Sequence, residues 1–290
     1  MKKYYLLSIA ISTITLFNSC EKEKLKELNT VKTHVSNEVY NSSLSRLVER
    51  NDFEKFGLLH NSIIIEMGNN PNLPNLTRRE RFELASSIIL NKGLVNNQTI
   101  TWGEMNHFMG LINGLNATNS VDKIIQNSSF TENERIALER IMGLLFDLKN
   151  AQFIPTPDEF SSSVYLIENE ILEQYEVEYD ATTNIVNNAG KLLVATSIAR
   201  HSYNLWYDVA INENNPWHFR VVNGRNDNNG NNGNNQRCGF FCKIKNAIDF
   251  VIDDIRGALE GPRPDPTDGL GGVNANATAT NAAMYSVVGN

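Results

Sequence analysis

The stretch TNIVNNAGKLLVATSIARHSYNLWYDVAIN, residues 183–212, decides the fold. Ile185, Ala189, Leu192, Leu193, Thr196, Ile198 and Ala199 recur at helical intervals before Trp206, the spacing of an α-helix that buries one face. The same period recurs upstream. Val39, Leu44, Leu47 and Val48 predict a first helix, and Leu58, Leu59, Ile63 and Met67 mark one face of a second over 52–67. Pro71 and Pro74 make 69–76 a loop. Thr77-Arg78-Arg79-Glu80 has the form of a capping box, and Phe82, Leu84, Ala85, Ile88 and Ile89 carry that helix to Gly93.

Further helices follow the same logic. Residues 101–115 predict a short helix interrupted by glycines. Thr131-Glu132-Asn133-Glu134 opens another, bearing Ile136, Leu138, Ile141, Leu144, Leu145 and Leu148. After Pro155 and Pro157, a helix from Asp158 buries Phe160, Val164, Ile167, Ile171 and Leu172. Strand-like alternation is scarce. The expected fold is therefore all-α, an irregular multi-helix bundle over residues 37–222.

Beyond the bundle the composition changes. Residues 223–236 are rich in Asn and Gly and have too few hydrophobes to form a core, so they read as a flexible linker. Residues 237–261 read as an amphipathic helix, with Ile244, Ala247, Ile248, Val251, Ile255, Ala258 and Leu259 on one face. Lys243, Lys245, Asp249, Asp253 and Arg256 are expected on the other. The run from Gly261 to Pro266 ends it, and residues 262–290 read as a low-complexity Gly/Ala/Asn-rich tail. Gly257 and Gly261 form a Gly-x-x-x-Gly match. Its charged neighbours exclude a lipid-spanning helix, so it reads mainly as a helix stop.

The start of the chain reads as an address. Lys2 and Lys3, an apolar run to Phe17, and Asn18-Ser19 precede Cys20, the layout of a bacterial lipoprotein signal. Residues 1–19 would be removed and Cys20 acylated, holding the protein at a membrane through its lipid. Residues 20–36 then form a charged tether. The expected location is the bacterial cell envelope, at the outer membrane. Removing residues 1–19 leaves 24 basic residues against 33 acidic ones, a net −9. That balance argues against a nucleic-acid partner and against electrostatic adhesion to anionic lipid. Cys238 and Cys242 remain as a pair; a local disulfide, two free thiols and a metal site are the alternatives.

Catalytic motifs are missing: no nucleophile elbow, phosphate loop, His-Glu-x-x-His or calcium loop occurs. Glu104-Met105-Asn106-His107 places two ligand types on one helix face, yet a carboxylate-bridged metal bundle needs a second copy, which is absent. No metal and no cofactor are expected. Glu168, Glu170, Glu173, Glu176, Glu178 and Asp180 wrap around a helix as a solvated face would. The candidates for acid–base chemistry are His60, His201, Asp208 and Asp254; a hydrolase would require them to converge in one cleft.

Three motifs carry a resemblance. They are Phe56-Gly57-Leu58-Leu59-His60-Asn61, then Ala199-Arg200-His201-Ser202-Tyr203-Asn204-Leu205-Trp206, and Asp254-Ile255-Arg256-Gly257-Ala258-Leu259-Glu260-Gly261. In that order they resemble secreted or lipid-anchored proteins of Bacteroidetes with a Gly-x-x-His-Asn opening and a Gly/Ala-rich end. The resemblance implies export and no particular catalytic residues. The Asn-rich insert and the segment from Pro262 to Pro266 depart from that pattern. The leading functional expectation is a non-enzymatic, lipid-anchored envelope protein that contacts another protein, through residues 244–259. A hydrolase of envelope or dietary polymers is the alternative, and an exported antagonistic membrane-active protein is a third.

Overall fold

The computed structural model describes residues 48–94, 101–112, 117–223, 239–260 and 272–289. Among these, the chain runs through α1 (Glu54–Gly68), α2 (Arg78–Asn91), α3 (Trp102–Ile112), α4 (Ala117–Asn127), α5 (Arg135–Asn150) and α6 (Pro157–Gln174). It continues through β1 (Tyr179–Asp180), β2 (Ile185–Val186), α7 (Asn188–Ile211), α8 (His218–Asn223), α9 (Phe240–Glu260), β3 (Val273–Asn274) and α10 (Ala275–Val288). The all-α bundle read from the periodicity is the fold observed.

Local chemistry sets the helix starts. Thr77 accepts from the Glu80 amide while the Glu80 carboxylate accepts from the Thr77 amide at 2.7 Å, so two donors left over by the first turn are satisfied. Thr131 with Glu134, and Thr156 with Glu159, repeat the device. The helix expected from residue 183 begins later, at Asn188. Residues 179–186 instead form a hairpin whose turn is held by Asp180. Its carboxylate accepts from the Thr182 amide at 2.8 Å and the Thr183 hydroxyl at 2.7 Å. Asn184 then takes φ 58, a left-handed conformation that Asn tolerates. Asn187 caps α7 by accepting from the Gly190 amide at 2.9 Å. β2 also pairs antiparallel with β3, setting Val186 opposite Val273. Short sheet segments thus fix where α7 and α10 begin.

α7 is the axis. Every residue from Ala189 to Arg200 is buried, so this helix is enclosed around its circumference. α9 lies antiparallel to it: Lys191 meets Leu259, Ser202 meets Asp254, and Trp206 stacks on Phe250 at 4.3 Å between ring centroids. α1 follows α7 in the same direction, with Gly57 against Ser197 and His201, and Ile64 bonded to Trp217 beyond the end of α7. α10 fills the space among α1, α2, α7 and α9.

Two expectations are corrected here. Residues 275–288, read as part of a low-complexity tail, form a helix in the core. Their Ala, Thr, Asn and Ser side chains lack apolar bulk, and that same smallness lets four helices approach at once. The polar face expected on α9 also fails in its second half. Asp253 and Arg256 are buried there beside Tyr285 of α10, and the neighbouring Asp254 and Glu260 are buried too. The apolar face of residues 244–259 packs on the body, with Ile244, Ile248, Val251, Ile255 and Leu259 fully enclosed. Cys20, Val39, Leu44, Leu47, Cys238 and residues 224–236 and 262–271 lie outside the described residues.

Gly257 is more than a helix stop. A Cβ there would lie 2.9 Å from the Ala282 Cα and the Tyr285 Cβ, so the bare glycine lets α9 and α10 touch backbone to backbone. Gly257→Ala is expected to destabilise the fold by about 1–3 kcal/mol through overpacking. Gly143→Ala serves as its control in urea unfolding. No atom lies within 4 Å of the added methyl in α5, and helix propensity alone should stabilise by about 0.5–1 kcal/mol.

Candidate functional site

The titratable groups that sequence reading singled out meet inside the bundle, not at a cleft. Asp254 of α9 is the first centre. Its Oδ2 accepts from the Ser202 hydroxyl and from Trp206 Nε1 at 3.2 Å, and lies 3.3 Å from His60 Nε2. His60, Ser202, Trp206 and Asp254 have no exposed surface. Asn61 fixes the proton arrangement. Its Nδ2 donates to the His201 carbonyl at 2.8 Å, which turns Oδ1 toward His60 Nδ1 at 2.9 Å. Nδ1 therefore carries the hydrogen that Asn61 accepts. The imidazole and the carboxylate lie in contact, sealed from water.

Arg200 organises a second centre, on the neighbouring turn of α7. Its Nη2 meets Glu54 Oε1 at 2.5 Å, Nη1 meets Glu54 Oε2 at 3.2 Å, and Nε meets Glu168 Oε1 at 3.1 Å. Arg50 approaches the other Glu168 oxygen at 3.7 Å. The Tyr165 ring lies under both guanidinium groups, at 4.0 Å from Arg50 and 4.5 Å from Arg200. His201 Nε2 adds a contact of 2.7 Å to Glu54. Burial works to raise the Glu54 carboxyl, but hydrogen bonds from His201 and Arg200, with the charge of Arg200, hold it down at about 2. Glu168 is shifted the other way, because burial outweighs Arg200 there. Its place in the core corrects the solvated face expected from the carboxylate run. Glu173, Glu176 and Glu178 do face water.

Two more contacts tie the far ends. Lys191 of α7 is enclosed and donates to the Leu259 carbonyl at 2.8 Å, placing a cation at the carbonyl end of α9. Its Nζ also sits 5.0 Å from the Phe130 ring centroid. Burial pushes Lys191 down to about 7, and burial pushes the nearby Glu260 up to about 7. At the other end Arg81 and Arg220, both buried, converge on α10. Arg81 Nε donates to the Val287 carbonyl at 2.8 Å, and Arg220 donates to Val287 at 3.3 Å and Gly289 at 2.5 Å.

This arrangement binds helices together and is poorly placed for turnover. His60 and Asp254 meet each other but no solvent. His201 touches them only through Asn61, and its own carboxylate partner is Glu54. Glu54, held near 2, is a weak base at neutral pH. Asp208 joins neither centre; it is exposed and accepts from Asn215 Nδ2 at 3.1 Å. Glu104 serves a helix start, accepting from the Thr101 amide at 2.7 Å. Cys242 is disulfide-bonded. Among the described residues no group of three or more His, Cys, Asp or Glu can hold a metal ion, and no helix is long and apolar enough to cross a membrane.

Glu54, Arg81, Lys191 and Arg220 were not singled out from the sequence. One signal was available for Lys191 and Arg200: cations bracketing LLVATSIA inside the longest apolar run have no solvated face to occupy. Arg81 and Arg220 carry no such mark. Fold and site together define an all-α bundle closed by internal ionic contacts. Comparison with protein-family models, with curated proteins and with solved structures gives no match to this chain.

Removing the Asp254 carboxylate strands the buried Ser202 and Trp206 donors and the facing His60. Asp254→Ala should therefore lower unfolding free energy by about 3–5 kcal/mol, measured by urea titration at pH 7. The Glu54 shift predicts a pH dependence. A carboxyl depressed from 4.5 to about 2 adds stability that is complete above pH 4.5 and is lost as pH falls toward 2. Because this carboxyl is partly open to water, about 1–2 kcal/mol is expected after screening. Glu168, raised by burial, works in the opposite direction. Glu54→Gln isolates the effect, since its stability should be flatter than wild type between about pH 5 and pH 2.5.

Proposed function

We propose that this is a lipid-anchored protein of the bacterial envelope that acts through contact with another protein, not through catalysis. The supporting observation is the enclosure of His60 and Asp254. The histidine–carboxylate pair best suited to proton transfer has no exposed surface and is consumed in joining α1, α7 and α9. The anchoring half of the proposal rests on Lys2, Lys3, the apolar run and Cys20, and the resemblance to exported Bacteroidetes proteins agrees with it. With residues 244–259 packed on the body, partner contact passes to the exposed apolar residues. Phe240 and Phe241 lead that set: they are adjacent at the start of α9, about half exposed, and their rings meet edge to face at 5.5 Å. Paired aromatics at the surface are favoured as interface anchors.

Mass spectrometry of protein from its native cell tests the anchor. The expected first residue is Cys20 carrying acyl chains, and Cys20→Ala should move the protein from the membrane to the soluble fraction. An unmodified thiol at that position would refute the location. Crosslinking on intact cells tests the contact. The Phe240→Ser/Phe241→Ser double variant should change stability by no more than about 0.5 kcal/mol, as exposed positions do, while sharply reducing the yield of crosslinked partner. Unchanged yield would refute a contact at this end of α9.

A further inference from the structure

α10 is the last element described, and it lies in the core. It carries no charged side chain, and twelve of its fourteen residues are buried, so it cannot be an addition to an otherwise finished surface. It is also a poor helix by itself. A fourteen-residue segment is marginal in water even with favourable composition, and Asn276, Thr278, Thr280, Asn281 and Ser286 lower its propensity further. Its helicity therefore comes from the groove that receives it.

The groove is made for this occupant. Gly257 leaves bare backbone where Ala282 and Tyr285 sit. Arg81 from α2 and Arg220 from α8 bring two buried guanidinium groups to the carbonyls of Val287 and Gly289, at the negative end of the helix. β3 pairs with β2, and the Ala275 amide donates to the Asn184 carbonyl at 2.8 Å, fixing the entry point. Part of the groove comes from far away in sequence: Arg81 and Val287 are 206 residues apart.

We propose that residues 272–289 are the closing element of folding: the packed state of residues 48–260 forms only once this segment is available. Until then Arg81 and Arg220 lack these acceptors, and the faces of α1, α2, α7 and α9 that line the groove lie open to water. Such a chain stays unfolded while it is being made. That suits passage across a membrane before folding, a use that rests on the export reading above; the folding behaviour does not depend on it.

The test uses the whole chain with a protease site placed within residues 261–271 and cut after folding. The cut protein is unfolded in denaturant, the released segment is removed, and the remainder is diluted at several concentrations of added peptide 272–290. Recovery of native Trp206 and Trp217 fluorescence, and of protease resistance in residues 48–260, is followed. The rate is expected to rise about tenfold for tenfold more peptide while association is limiting, and the uncut chain should refold at a rate independent of peptide. Arg220→Met in the cut protein should raise the peptide concentration needed for half-recovery at least about tenfold, the loss of one charged hydrogen-bonding group. Recovery of both signals without peptide, or at a rate indifferent to it, would overturn the proposal. Neither outcome bears on acylation of Cys20, so the two readings fail separately.

Discussion

A carboxylate removed from water must be met by polar groups, and Asp254 is met by side chains of two other helices. Ser202 and Trp206 from α7 and His60 from α1 all address one oxygen. That demand fixes the rotation of α9 about its own axis, because only one face of the helix can present Asp254 to α7. With the rotation set, Gly257 and Tyr285 come into register, and α10 has a defined place. Apolar contacts such as Trp206 on Phe250 supply the bulk of the attraction. The ionic contacts decide which of several greasy packings is adopted.

The same logic recurs along α7. Lys191 at one end holds the terminal carbonyls of α9, Arg200 near the middle gathers Glu54 and Glu168, and Ser202 and Trp206 hold Asp254. Lys191, Ser202 and Trp206 join α7 to α9, and Arg200 joins it to α1 and α6. Buried ion pairs add little net stability compared with apolar replacements, since dehydration offsets attraction. Their breaking is costly, however, and that asymmetry favours one arrangement over near alternatives.

Much of the architecture could be read in advance, and the failures have a common cause. The capping boxes at Thr77 and Thr131 announced themselves because both partners lie within three residues. The apolar spacing of 160–172 and 189–199 did so because a helix repeats locally. Glu168 was misjudged because its partner, Arg200, is thirty-two residues away and nothing in the local pattern separates it from Glu170 or Glu173. Residues 275–288 were misjudged because periodicity cannot mark a helix that is buried on every side. Of the four acid–base candidates, His60 and Asp254 do meet, His201 pairs elsewhere, and Asp208 stands apart in water.

Sequence alone determined the all-α class, most of the longer helices and the starts of those with capping boxes, since hydrogen-bonding within a turn and apolar spacing are short-range properties. It also carried the leader-like run ahead of Cys20. Only the tertiary structure decided which charges are internal and which small-residue segment becomes the heart of the core. Those outcomes depend on groups brought together from opposite ends of the chain, where burial turns an ordinary Asp, Lys or Arg into a constraint on how its neighbours pack.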